Sequence, residues 1–269
     1  MTDPDRSAGR TVERTLTLAA PKDAVWRALT DANELTRWFP LEAKVDPGVG
    51  GTMWMSWGDL YAAESTIQIW EPGRHLRTAF PNHEPYHMAT DYYLQGEGGT
   101  TVLRVVTSGF GRGADWDRMY GGVQRGWDFE LAGLRLYLEG HRGQDRRVAL
   151  ARRPLPGTAG ELWPALFGAD GPLSISPAPP AEGAAVQLAI DAGDRITGRL
   201  IVWDPPYQVA LVAESLNHAL LRLELEAHTT EVHAMLWVST YDLPVAQVEA
   251  LTARFSRVLD GLARRVGTA

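Results

Sequence analysis

The chain repeats itself, and that repetition constrains its fold more than any other feature. AVWRALTDA, beginning at Ala24, matches ELWPALFGA, beginning at Glu161, through Trp26 and Trp163, Ala28 and Ala165, Leu29 and Leu166, and Ala32 and Ala169. IWEPG around Trp70 is answered by VWDPP around Trp203, and LAGL at Leu131 by LDGL at Leu259. Chance likeness between amphipathic segments has no reason to keep one order, whereas a duplicated unit does. The length of 269 residues agrees, being too long for one typical domain of roughly 100 to 200 residues and sufficient for two. The expected organisation is a flexible tail over 1–10, a first domain over 11–143 and a diverged second domain over 144–269, with the boundary near Gln144.

Each half reads as strand, helix, strands, long helix. TVERTLTLAA alternates Val12, Leu16 and Leu18 against polar neighbours, as a half-buried strand does. Pro21 and DAVWRAL open a helix, and Asp31 caps a second short one over DANELTRWF. From Leu41 to Thr107 the pattern has period two, broken by the turn clusters PGVGG, EPGR and GEGG. Shared faces are expected for Met53, Met55 and Trp57, for Ile67 and Ile69, for Leu76, Thr78 and Phe80, for Thr90, Tyr92 and Leu94, and for Leu103, Val105 and Thr107. This predicts an antiparallel meander of about six strands, closed by a helix whose Trp116, Met119, Val123, Trp127, Leu131, Leu134 and Leu138 recur at three and four. Arg118, Arg125, Asp128, Arg135 and Glu139 form its expected solvated face. In the second half, strands over RVALARRPL, AAVQLAI, RITGRLIVW, YQVALVA, HALLRLELEA and HAMLWVST surround a helix at TAGELWPALFG. PAPPAEG stands where the second short helix stood, and a last helix runs from about Pro244 to Val266. The fold class is α+β, two tandem units each with a curved antiparallel sheet and a long C-terminal helix.

Net charge of −7 without a basic run argues against nucleic acid or an anionic membrane surface. No cysteine is present, so there is no disulfide framework, thiolate nucleophile or thiolate metal site. No stretch approaches the roughly 18 apolar residues of a membrane span, and MTDPDRSAGR is not a signal peptide, so a cytoplasmic location is expected.

HEPYH, His83 to His87, satisfies the H-E-x-x-H zinc pattern in letters only. That site needs both imidazoles on one helical face, and Pro85 stands inside the required helix, so the segment reads as a loop between strands. No nucleophile elbow, phosphate loop or dinucleotide fingerprint occurs, and neither a metal nor a cofactor is expected. Asp115 and Asp117 flank a helix start, where carboxylates favour the dipole without any catalytic purpose.

APKDAVWRALTDANELTRWF, the strand-opening Gly50 and Gly51, IWEPGRHL, TVLRVVTSGF and GWDFELAGLRLYLEG together resemble a bacterial Hsp-90 ATPase activator-like (Aha-type) domain of the START and birch-allergen, or SRPBCC, superfamily. The resemblance spans roughly residues 11 to 142. It implies a helix-grip fold in which sheet and long helix enclose a cavity. The second half matches in outline only, lacking counterparts of ANELTRWF and of the Gly126 and Trp127 pair. The co-chaperone's separate N-terminal domain has no counterpart here, so a chaperone role is not carried over.

In a helix-grip unit the inward residues Met53, Met55, Trp57, Tyr92, Met119, Val123 and Trp127 would line the cavity, with Gln124, His87 and Asp91 near its mouth. The leading expectation is binding of a small hydrophobic molecule in the first domain, with the second as an intramolecular pseudo-dimer partner. One alternative is a cofactor-independent cyclase or hydrolase using His87, Asp91 and Tyr92. Another is an interaction module or chaperone regulator using the outer sheet face.

Overall fold

The computed structural model describes residues 9–80, 88–178, 180–190, 194–227 and 231–267. The chain divides into two compact units, Met1–Gly143 and Gln144–Ala269.

The first unit runs β1 (Val12–Leu18), α1 (Lys22–Thr30), α2 (Ala32–Thr36), β2 (Glu42–Val45), β3 (Thr52–Ser56), β4 (Ala62–Glu71), β5 (His75–Ala79), β6 (Ala89–Gln95), β7 (Thr101–Ser108) and α3 (Ala114–Gly140). Its strands form one seven-stranded sheet in the order β1-β7-β6-β5-β4-β3-β2. The second unit runs β8 (Arg146–Leu155), α4 (Ala159–Phe167), β9 (Leu173–Ser176), β10 (Ala185–Ile190), β11 (Asp194–Asp204), β12 (Gln208–Ala213), β13 (Ala219–Glu226), β14 (Val232–Tyr241) and α5 (Val245–Val266). Its sheet order, β8-β14-β13-β12-β11-β10-β9, repeats that of the first. The fold is therefore a tandem helix-grip.

Two short strands exceed the sequence expectation of about six per unit. β2 has four residues, of which only Ala43 and Val45 alternate inward, and β9 has four as well. Neither is long enough to show a period. A second difference lies in β4, where a bulge interrupts the register between Ile67 and Ile69. Ile67 pairs with Thr78 and Ile69 with Arg77, so the extra residue puts the two isoleucines on opposite faces.

Local chemistry explains the helix starts. Asp31 accepts from the backbone N–H groups of Asn33 and Glu34 at 2.9 and 3.0 Å, which caps α2. Thr158 and Glu161 close a reciprocal capping box at α4. The matched segments of the repeat touch within each unit. Trp26 meets Trp70 edge-to-face at 5.2 Å, and Trp163 meets Trp203 the same way at 5.5 Å.

The free edge of β1 is not left open. Tyr120 Oη donates to Thr11 O at 3.1 Å, Arg135 Nη2 to Thr17 O at 3.5 Å, and Ala19 N to Glu139 Oε1 at 2.9 Å. Side chains of α3 thus occupy backbone groups that an edge strand would otherwise offer to another chain. Asp128, expected on a solvated helix face, instead binds Arg14 through both oxygens at 2.5 and 3.0 Å. Asp128, Arg135 and Glu139 therefore anchor the helix to the sheet edge.

Candidate functional site

α3 lies over the sheet face that carries Tyr92, and the contacts of Trp127 fix that placement. Trp127 meets Tyr92 edge-to-face at 5.9 Å, and its Nε1–H donates to Thr107 Oγ1 at 2.9 Å. Thr107 in turn shares a hydrogen bond with Thr90 at 3.1 Å. Trp127 stands near the middle of the 27-residue helix rather than at its entry.

The apolar stripe of α3 changes character at that point. From Trp127 onward, Leu131, Leu134 and Leu138 are buried. Before it, Trp116, Met119 and Val123 are only half-buried, as is Gln124. The same early half contains Gly121, Gly122 and Gly126, and a methyl group added at Gly126 would meet no heavy atom within 4 Å. These glycines weaken the helix by roughly 1 kcal/mol each relative to alanine. At Gly126 no close packing requires the missing side chain.

An aromatic series leads from the surface toward Tyr92. Exposed Tyr61 lies 5.9 Å from Trp57, and Trp57 meets Phe39 edge-to-face at 5.2 Å. Phe39 stacks on Trp127 at 6.0 Å and on buried Trp38 at 4.9 Å. Met53 and Met55 pair with Ser65 and Ala63 on β4, so their alternation puts both on the face of Ile67, with Met53 buried and Met55 half-buried. The structure thus joins Trp57, Tyr92 and Trp127 through Phe39, a residue the sequence reading did not select. The stacking role of Phe39 has no signature in a linear pattern.

Asp91 faces the other way. It follows Tyr92's neighbour Thr90 in a strand whose side chains alternate, and it binds His75 Nε2 at 2.7 Å and the Arg77 guanidinium on the side away from α3. His75 stacks on Tyr93 at 4.2 Å, and Arg104 lies over Tyr93 while pairing with Glu13. Asp91 therefore belongs to a polar band on the opposite sheet face and is not brought together with Tyr92. His87 and the rest of HEPYH lie outside the described residues. Among the described residues no group of three or more His, Asp or Glu could hold a metal ion, and no helix is long and apolar enough to cross a membrane.

The surroundings of Tyr92 disfavour its charged form. Burial pushes its phenol well above the ordinary range, so it is protonated at any working pH. Its hydroxyl makes no hydrogen bond to a described residue.

Residues 19–139 match the family described as Activator of Hsp90 ATPase homolog 1-like protein. Among solved structures, CalU16 from Micromonospora echinospora is 26% identical, over 49% of this chain and 78% of its own, with a TM-score of 0.41. DynU16, from the dynemicin biosynthetic locus, is 20% identical over 94% of this chain and 95% of its own, with a TM-score of 0.43. The di-domain ARO/CYC BexL from the BE-7585A biosynthetic pathway is 15% identical over 97% and 99%, with a TM-score of 0.42. No curated protein matches the chain.

Proposed function

We propose, on the premise that residues 19–139 belong to the Activator of Hsp90 ATPase homolog 1-like family, that the first unit binds a small, largely apolar molecule between its sheet and the early half of α3. One contrast carries the reading. α5 buries Val248, Leu251, Phe255, Val258, Leu259 and Leu262 once past its exposed first turn, whereas α3 leaves Trp116, Met119 and Val123 half-buried through the three turns ahead of Trp127. An amphipathic helix gains most of its stability by burying that stripe, so a stripe left half-open beside adaptable methionines and aromatic rings favours an occupant.

The second unit serves as a structural copy, its interior filled by its own Leu and Val side chains. Titration of tryptophan fluorescence with fluorene tests the proposal. Saturable quenching that is lost in a Met119→Trp variant, which fills the half-open stretch, supports binding at this place. No change up to the solubility limit of fluorene refutes it.

A further inference from the structure

The inward face of the first sheet carries hydroxyl groups that the fold itself leaves unused. Cross-strand register aligns Ile67, Thr78, Thr90, Thr107 and Val12 in one row, and Trp70, Leu76, Tyr92, Val105 and Arg14 in the next. Thr78, Thr90 and Thr107 are buried, with 7%, 6% and 3% of their surface exposed. Thr107 accepts from Trp127, and Thr90 and Thr107 share a single bond. Two hydroxyls carry two protons, so whichever way that bond runs, one O–H has no acceptor among the described residues. The Thr78 and Tyr92 hydroxyls make no hydrogen bond to a described residue at all. Neither oxygen is among the fully buried polar atoms that lack a partner, so each hydroxyl keeps open space in front of it, where a ligand atom can take the hydrogen bond that the fold does not supply.

The second unit shows that the fold has no need of them. Its bulge falls at the same place, between Leu200 and Val202, three residues before Trp203, as the first falls three before Trp70. Counting outward from that bulge, the row of Thr78, Thr90 and Thr107 is occupied by Leu211, Leu221 and Val238, and the place of Tyr92 by Leu223. All four are buried apolar residues. Position for position, one copy builds a hydrocarbon core where the other installs hydroxyls.

We propose that Thr78, the Thr90 and Thr107 pair, and Tyr92 form a strip of hydrogen-bond donors that receives the carbonyl oxygen of a neutral, flat, largely apolar ligand. This rests on the reading that the first unit binds an apolar molecule beneath α3. Neutrality follows from Arg14, the cation in these two rows, whose guanidinium is already engaged by both carboxylate oxygens of Asp128. A carboxylate placed there would have no free counter-charge from these rows. Flatness follows from the walls, because Tyr92, Trp127, Phe39 and Trp57 present ring faces and edges in series. A ketone or quinone-type oxygen fits, since it accepts and does not donate.

The test uses fluorene and 9-fluorenone, which share one ring frame and differ by a methylene in place of a carbonyl. Dissociation constants for both are measured by tryptophan quenching on the parent, Thr78→Val and Tyr92→Phe proteins. Neither substitution breaks a hydrogen bond among the described residues, so both variants are expected to fold. The expected result is a fluorenone affinity weakened about 5- to 10-fold in each variant, as loss of one hydrogen bond gives, with fluorene affinity unchanged. In the parent, the bound carbonyl stretch should move to lower frequency than in cyclohexane. An unchanged ratio of the two constants in both variants overturns the donor strip while leaving apolar binding intact. Failure of both compounds to bind the parent overturns the binding reading and the donor strip with it.

Discussion

Thr78→Val should make the ligand-free protein more stable, and Leu211→Thr should make it much less so. At Thr78 the substitution keeps the branched shape and deletes a buried hydroxyl that has no partner among the described residues. Burying a hydroxyl without compensation costs about 1–3 kcal/mol in mutational series, and the Thr78 oxygen is not among the fully buried unpartnered atoms, so the relief is at most about 1 kcal/mol. For a chain of this size that corresponds to a rise in melting temperature of at most about 2–4 °C. Leu211 occupies the same register position and is fully buried. Its replacement by Thr removes apolar volume and adds an unpaired hydroxyl, for a combined loss of about 3–5 kcal/mol. Urea denaturation followed by far-ultraviolet circular dichroism, together with differential scanning calorimetry, reads both effects. The two units can unfold separately, so the calorimetric trace is needed to assign each change to a transition. A Thr78→Val protein less stable than the parent by 1 kcal/mol or more would refute the reasoning, because the hydroxyl would then have to be making a bond that contributes to the resting fold.

Gly126→Ala should raise the stability of the first unit by about 0.5–1 kcal/mol, since the added methyl meets nothing within 4 Å and alanine is the better helix former; an unchanged or lowered melting temperature would contradict the open space there. Phe255→Ala should cost about 3–5 kcal/mol because Phe255 is wholly buried, whereas Met119→Ala on half-open α3 should cost under about 1 kcal/mol, and equal losses in denaturant titration would count against the unequal packing of the two helices. Glu161 has its carboxyl lowered chiefly by the Thr158 backbone N–H, so its cap is fully present above the ordinary carboxylate range and is lost as pH falls through the depressed value. The melting-temperature gap between the parent and Glu161→Ala should therefore close on acidification, and a gap that widens would reverse the assigned sign.

Strand alternation, the stripe of α3 and the Asp31 cap were legible in sequence because each depends on neighbours within a few residues. β2 and β9 were not, since four residues hold too few alternations to distinguish a strand from a loop. The bulge in β4 hid the true face of Ile69, because one inserted residue inverts everything after it and leaves no mark in STIQIW. Asp91 shows the limit at the site. Its acidity invited a catalytic reading beside Tyr92, yet adjacent strand residues point to opposite faces, and its partners His75 and Arg77 come from β5, sixteen and fourteen residues away. The threonines were present in the inward faces that strand alternation predicts, but hydroxyls become conspicuous only when the register of three strands lines them up and the second copy supplies leucines for comparison.

The pattern of difference between the two copies separates scaffold from site. What both retain is framework: identical strand order, a bulge three residues ahead of a tryptophan, and that tryptophan set edge-to-face against one on the first helix of its unit. These features fix sheet curvature and the seat of the helix, and they work equally well over an interior of any chemistry. What differs lies on the inward rows, where Thr78, Thr90, Thr107, Tyr92 and Arg14 face counterparts Leu211, Leu221, Val238, Leu223 and Ala151. Drift under a requirement for stability alone would favour the hydrocarbon version in both halves, because unpaired hydroxyls subtract from a core. The first unit keeps the polar lining beside Trp127, where the half-open stretch of α3 ends, which is what the proposed site requires, and the second unit is the internal control for what this fold looks like without it.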